Sequence, residues 1–533
     1  MLRHTKNMKT ESNYADIVLI SNNIFTSKAD ATGPISGAIA IIGNTIAAIE
    51  PKSAKDKWIG PKTAVYELGD KLICPGFLDN HVFFTGYAWT RAGVDVSTAS
   101  SCQEVVEILV SYSKTIPKEK TILGHGLDVN GWSDEEKSGR CLDKVFGDRP
   151  VAIFTPARDF CFMNTAAEEK YGFTQDECYA EACWKLLKEI LTDREQITKE
   201  YKNFSQFLAS RGITSIKEIG FDDYSGFTDI LTSLEESGEL IHRVNLVSQP
   251  VAQGINFEYG ESCREKFTGH AIKFMGYNLM VDGEIASFEG DLLEPYLNNP
   301  ETCNISPVDY EALEKSVLEA DKRGFRCALH AEGDAAVRRS IDIFEKCRER
   351  NGKRDARHTI TDLELTHPQD LKRMAELDIT ATNYLQIMNC TKQYEAFYAP
   401  SFVGEDRLKN YWAYRNMIDE GVNICCGTDL PLDTANIPLS IYFAVGRMFP
   451  DGKPEAGFNK EQALSIAEVL RAWTIGGQYV NFDDQRLGTL EAGKLADIAV
   501  LDKNVFEVPM NEMRNVNVAL TIFDGRVIHE ELN

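Results

Sequence analysis

The stretch Pro75-Gly76-Phe77-Leu78-Asp79-Asn80-His81-Val82-Phe83 reads as an apolar strand running into polar residues that could do chemistry. Side chains on a strand alternate, so two histidines placed two apart would face the same way and grip one ion from one side. Phe83 stands two residues after His81, so this strand offers a single imidazole on that face. Lys273, His330, Asp362 and Asp429 stand in or just after later apolar runs, and each type can hold a metal or move a proton. Each also has a plain structural alternative. A lone His at a strand end is commonly a satisfied polar group, and Lys273 on an apolar strand could pair with Glu218, Glu284 or Asp282. Asp429 follows Gly427-Thr428 and could cap the next helix, while Asp362 serves equally as a ligand or as a structural carboxylate. His358, early in its strand, and His367, before Pro368, read as structural. One of Cys425 and Cys426 is expected to face inward by strand alternation, as a buried thiol rather than a nucleophile. Phe83, Trp89, Tyr277 and Tyr384 are the aromatic candidates for lining a substrate pocket, with core filling as their alternative.

These residues need a scaffold that brings separated strands to one place. Eight short apolar runs occur at 72–83, 213–220, 243–251, 271–277, 325–334, 358–365, 378–386 and 422–431, with helical patterns between the later ones. That alternation is the mark of a parallel α/β barrel, which places strand ends together on one face. Residues 85–210 fit no simple strand–helix spacing and read as an insertion with elements of its own. Ser306-Pro307 is expected to open one helix, with Ser as N-cap and Pro at the first position, and Ser465-Ile466-Ala467-Glu468 to open another through a capping box. Both chain ends are rich in strand patterns, with turns at Gly43-Asn44 and Asp524-Gly525. Each end is too short to bury its own apolar face, so 14–74 and 485–533 are expected to form one composite β domain around a barrel of 75–484.

Composition narrows the function classes. The chain has 533 residues, 43% hydrophobic and 26% charged, in the range of an ordinary globular protein. The formal charge of -24, from 57 basic and 81 acidic residues, argues against nucleic acid, whose phosphates demand clustered Lys and Arg. Thirteen cysteines, an odd number without a CxxC pair, suggest reduced thiols and a cytoplasmic location. The first residues lack the apolar core of a secretory signal, and no run of 18 apolar residues marks a membrane span.

The first strand, the blocks Ile272-Lys273-Phe274, Asp282-Gly283, His330-Ala331-Glu332-Gly333-Asp334, Arg357-His358-Thr359-Ile360 and Gly427-Thr428-Asp429-Leu430-Pro431, and the tail Gly488-Thr489-Leu490-Glu491-Ala492-Gly493-Lys494-Leu495-Ala496-Asp497 are together a specific set. In their order the chain resembles the amidohydrolase-3 subgroup of the amidohydrolase superfamily over nearly its whole length. The resemblance implies a (β/α)8 TIM-like barrel with a small β-sandwich from both chain ends, a small-molecule substrate, and often a homodimer. It implies metal ligation by His81, Lys273 as a carboxylated lysine, His330 and Asp429, with Asp362 standing where a histidine is usual. With Phe83 in the other usual histidine position, this set suits one divalent metal, Zn, Fe or Mn, rather than two.

The implied activity is hydrolysis of a non-peptide C–N bond in a small amide or an N-acyl or N-formyl amine. Asp429 would be general base and later proton donor, with Lys273 and His330 completing the catalytic site. Two rivals share the barrel: metal-independent isomerase, lyase or decarboxylase chemistry with Asp362, Asp429 and Lys273 as acid and base groups, and an inactive ligand-binding relative.

Overall fold

A computed structural model describes residues 14–155, 160–175, 186, 191, 194–222, 226–250, 253–389 and 400–532. The chain opens with β1 (Ile17–Ile24), β2 (Ile35–Ile42), β3 (Thr45–Glu50) and β4 (Ala64–Pro75), and then enters the first barrel strand, β5 (Phe77–Val82). An insertion carries β6 (Val94–Asp95), β7 (Ile122–His125), β8 (Val151–Phe154) and β9 (Cys161–Met163). The barrel continues through β10 (Ile213–Gly220), β11 (Arg243–Ser248), β12 (Ile272–Met280), β13 (Arg326–Ala331), β14 (Thr359–Asp362), β15 (Thr380–Asn383) and β16 (Ile424–Cys426). The chain ends with β17 (Ile498–Leu501), β18 (Val518–Phe523) and β19 (Arg526–Glu530).

Eight strands make the barrel in the order β5-β10-β11-β12-β13-β14-β15-β16, every adjacent pair parallel. A parallel bridge between Val82 and Leu430 closes the ring. β10 and β11 are buried along their whole length, so neither shows an exposed polar face, and the charged Lys217, Glu218 and Arg243 they carry lie in the interior. All eight apolar runs of the sequence are barrel strands. Seven strands from the two chain ends form a separate sheet, β19-β18-β17-β4-β1-β2-β3. Ile17, Leu19, Ile39 and Ile41 from the head share a core with Ile498, Val500, Leu520 and Ile522 from the tail. Arg243 fastens this sheet to the barrel, its guanidinium donating to Asp497 and Asp524.

The insertion holds its own four-stranded sheet, β6-β7-β8-β9. Trp89, in the helix Phe84–Trp89 directly after β5, packs edge-on against Phe154 of β8 with ring centroids 4.3 Å apart. Buried to 1% exposure, Trp89 is a core residue joining insertion to barrel rather than a pocket wall. The capping box at Ser465 and Glu468 is present. Ser306 does not cap its helix, because the helix spans Tyr310–Lys322 and Asp309 accepts the N–H of Ala312 as N-cap. The side-chain oxygen adjacent to the first turn takes that role.

Candidate active site

The C-terminal ends of the barrel strands bring two imidazole–carboxylate pairs to one mouth. His81, at the end of β5, is 3% exposed and its Nε2 lies 3.6 Å from Oδ1 of Asp429, in the loop after β16. His330, on β13, has Nε2 3.0 Å from Oδ2 of Asp362, the last residue of β14. Tyr384, just past β15, connects the pairs: its ring meets the His81 ring edge-on at 5.6 Å, and its hydroxyl hydrogen-bonds Asp362. Phe83 leans on His81 with centroids 5.6 Å apart and stacks with Phe221 at 6.0 Å, forming an apolar wall where a second histidine would have stood.

Backbone geometry aims the carboxylates. Asp362 and Asp429 adopt φ of 76° and 52°, a left-handed conformation that side chains other than Gly seldom take. Such strain costs about 1–3 kcal/mol per residue and persists only where surrounding contacts impose it. For Asp429 those contacts include its own N–H, donated to the His81 carbonyl at 2.9 Å. Asp79 locks the same junction, accepting from the Thr428 N–H, the Thr428 hydroxyl and the His81 N–H. Gly427 has to be glycine, since a Cβ there would stand 2.6 Å from the His81 Cβ. We expect Gly427→Ala to push His81 off Asp429 and cut turnover at least tenfold, a loss of order 1.4 kcal/mol in the barrier; unchanged kinetics would show that this close approach is irrelevant to the site.

Burial sets the protonation states. It drives His81 well below the usual imidazole range, helped by the charges of Lys217 and His330, so that His81 is neutral near pH 7. Burial raises the Asp362 carboxyl, and the charge of Asp282 adds to it, against the opposing charge of Lys217 and the Tyr384 hydrogen bond. Glu332, whose Oε1 is 3.7 Å from His330 Nε2, is raised by burial and by Glu364, Asp362 and Asp282. Asp282 is pushed up to about 6 by burial, although it accepts the N–H groups of Glu332, Gly333 and Asp291.

Lys273 is not part of this site. It lies near the start of β12, its Nζ 2.6 Å from Asp483 in an ion pair. Met280, not Lys273, is level with His330 in the strand register, and seven residues at ~3.3 Å each put Lys273 roughly 20 Å lower. A register shift between Phe274 and Gly276 re-phases the strand, with Gly276 at φ 140° pressed against the Arg326 backbone. Tyr277 likewise leaves the site, packing at 5.2 Å on Phe325 and 5.7 Å on Phe257. The lysine that does face the site is Lys217 on β10, between the levels of Asp79 and Val82 in the register with β5. It is fully buried, its Nζ has no hydrogen-bond partner, and burial and the charge of Arg326 bring it down to about 7. A lysine inside the apolar run Ile213-Thr214-Ser215-Ile216-Lys217 was the available sequence signal. Cys425 is the inward member of the cysteine pair, in contact with Asn80 and Thr382.

Of the metal ligands expected from the sequence, His81, His330, Asp362 and Asp429 lie at the mouth and Lys273 does not. A resident divalent ion asks for about three or four converging protein ligands. Among the described residues, the one group of three His, Cys, Asp or Glu donors within 4.8 Å of one another is Asp321, Cys347 and His358, away from the mouth. That group is held by hydrogen bonds: His358 Nδ1 accepts the Cys327 N–H, its Nε2 lies 3.2 Å from Asp321, and Asp321 also accepts from Asn351 and Arg354. At the mouth His81 meets Asp429 at 3.6 Å, and His330 has Asp362 at 3.0 Å and Glu332 at 3.7 Å, with Lys273 outside the group.

The profile of the amidohydrolase family matches residues 64–529. The chain belongs to the amidohydrolase family. The N-substituted formamide deformylase of Arthrobacter pascens is 22% identical over 546 residues, covering 97% of this chain and 98% of that protein. YtcJ of Bacillus subtilis (strain 168) is 23% identical over 505 residues, covering 90% and 92%. Among solved structures, a metal-dependent hydrolase from Pyrococcus horikoshii OT3 superposes with a TM-score of 0.74 at 21% identity, covering 93% of this chain and 99% of that one. This amidohydrolase-family chain therefore shares the fold of that structure, with its own histidines and carboxylates gathered at the strand ends. None of its described helices is long and apolar enough to cross a membrane.

Proposed function

We propose that this amidohydrolase-family protein hydrolyses the non-peptide C–N bond of a small N-acyl or N-formyl amine. The observation that carries the reading is the pair of imidazole–carboxylate couples joined through Tyr384 at the barrel mouth. Asp429 is the couple member open to solvent, its side chain 27% exposed, so it receives the proton of the attacking water and returns it to the leaving nitrogen. Burial keeps the Tyr384 phenol protonated, so its single O–H donates to Asp362 and holds that carboxyl in place beside His330. The His330–Asp362 couple, with its carboxyl raised by burial, holds a proton near the leaving group.

Next to this mouth lies a cavity of ≈ 610 Å³ whose lining includes Met280, Leu279, Gln253, Asp282, Glu289 and Asp309. Its wall residue Asp282 accepts the N–H groups of Glu332 and Gly333, just past His330, which relates the cavity to the second couple. Its described lining mixes apolar side chains with Gln253, Ser306, Ser316 and three carboxylates and includes no Lys, Arg or His, which favours a substrate with an apolar body and an amine over an acidic one.

The test is release of free amine from a panel of N-formyl and N-acetyl amines, assayed before and after dialysis against a chelator. Catalysis by the side chains alone predicts activity within about twofold after chelation, a change of under half a kcal/mol. Loss of activity that stoichiometric Zn or Mn restores would replace this mechanism with metal-assisted hydrolysis. No amine released from any of the panel would overturn the C–N hydrolase reading.

A further inference from the structure

Outside the barrel, the insertion places two thiols in contact. Cys102 begins the helix Cys102–Ser113, and Cys141 lies in the helix Arg140–Phe146, 39 residues along the chain. Their Sγ atoms are 2.9 Å apart, about 0.9 Å beyond a bonded S–S pair. Cys102 is 6% exposed and packs with Val105, Leu109 and Leu142 in the insertion's own core, while Cys141 is half-buried at its edge. We propose that Cys102 and Cys141 form a reversible disulfide that clamps the two helices of the insertion, with a small-molecule disulfide such as oxidised glutathione as the oxidant.

The exchange balances in two steps. The Cys141 thiolate, on the accessible side, attacks one sulfur of the oxidant, and the S–S bond breaks to release one thiolate and leave a mixed disulfide. Cys102 loses its proton and attacks the Cys141 sulfur, forming the protein disulfide and expelling the second thiolate. Two protein thiols are oxidised while one disulfide is reduced to two thiols. Burial and the hydrogen bond to Cys141 raise the Cys102 thiol to about 12, which suits it to the second step, where proximity compensates for scarce thiolate. The link would close a loop spanning the helices, β7 and the intervening turn, restraining the unfolded insertion more than the folded one.

The experiment incubates the full-length protein with oxidised glutathione, quenches with N-ethylmaleimide and maps peptides without reduction. The expected result is a Cys102–Cys141 linked peptide at high yield, reversed by dithiothreitol, and at least fivefold slower proteolysis within residues 96–150 of the oxidised protein. Cys141→Ser, at the edge of that core, should abolish both effects while leaving the reduced protein's proteolysis rate unchanged. Glutathione retained on Cys141 without the internal link, or linkage of Cys102 to a different cysteine, would overturn the proposal. An internal link that fails to slow proteolysis would overturn the clamp.

Discussion

Asp429→Asn should lower kcat by about 10²- to 10⁴-fold with little change in KM, the range expected on losing a general base. The substitution keeps the size of the side chain and leaves intact the N–H of residue 429, which donates to the His81 carbonyl, so the close approach of the two strand ends should persist. The melting temperature should accordingly shift by no more than a few degrees, separating a chemical loss from a folding one. Asp429→Glu, which restores a carboxylate about one methylene out of place, should recover part of the rate. Wild-type turnover in the Asn variant would remove Asp429 from the mechanism and move the base to the His330–Asp362 couple.

Between about pH 4 and pH 7 the buried Asp79 should make the protein lose stability as pH rises. Burial raises its carboxyl to about 7 from an ordinary value of 3.8, despite the hydrogen bonds from Thr428 and His81. A carboxyl raised in the folded state binds its proton more tightly there than in the unfolded chain. Its contribution is therefore fully present below the unfolded value and lost as pH rises through the folded one. At 1.36 kcal/mol per unit, the shift corresponds to about 4 kcal/mol. Asp79→Asn has no such proton to lose. Its melting temperature relative to wild type should therefore climb between pH 5 and pH 8.5, starting below wild type and ending level with or above it. A difference that is flat with pH would mean that Asp79 is ionised throughout and that Thr428 and His81 hold it as a carboxylate.

Eight barrel strands were legible because each is an apolar run of strand length bounded by turn or helix signals. The joining of the two chain ends into one sheet followed from their similar strand patterns and from neither having enough apolar surface to stand alone. His81, His330, Asp362 and Asp429 lie at strand ends, where a parallel barrel must gather them, so their meeting was also written in the order of the runs. Helix starts were less secure. Ser306 carries a good capping pattern, but Asp309 lies where the first turn begins.

Sequence alone did not determine which lysine, which aromatics and how many donors the site would contain. Lys273 and Lys217 both stand within apolar strands, yet the shift at Gly276 and the distance along β12 leave Lys273 at the foot of the barrel, paired with Asp483. Lys217 reaches the level of His81 because β10 pairs with β5 in that register. Tyr277 and Trp89 face surrounding elements, whereas Phe83 and Tyr384 meet His81. Strand periodicity specifies which residues share a face, but a bulge reverses that phase and the register between neighbouring strands sets height. Both depend on contacts between segments far apart in the chain, so only the closed barrel decided that His81 meets Asp429 while His330 meets Asp362 and Glu332.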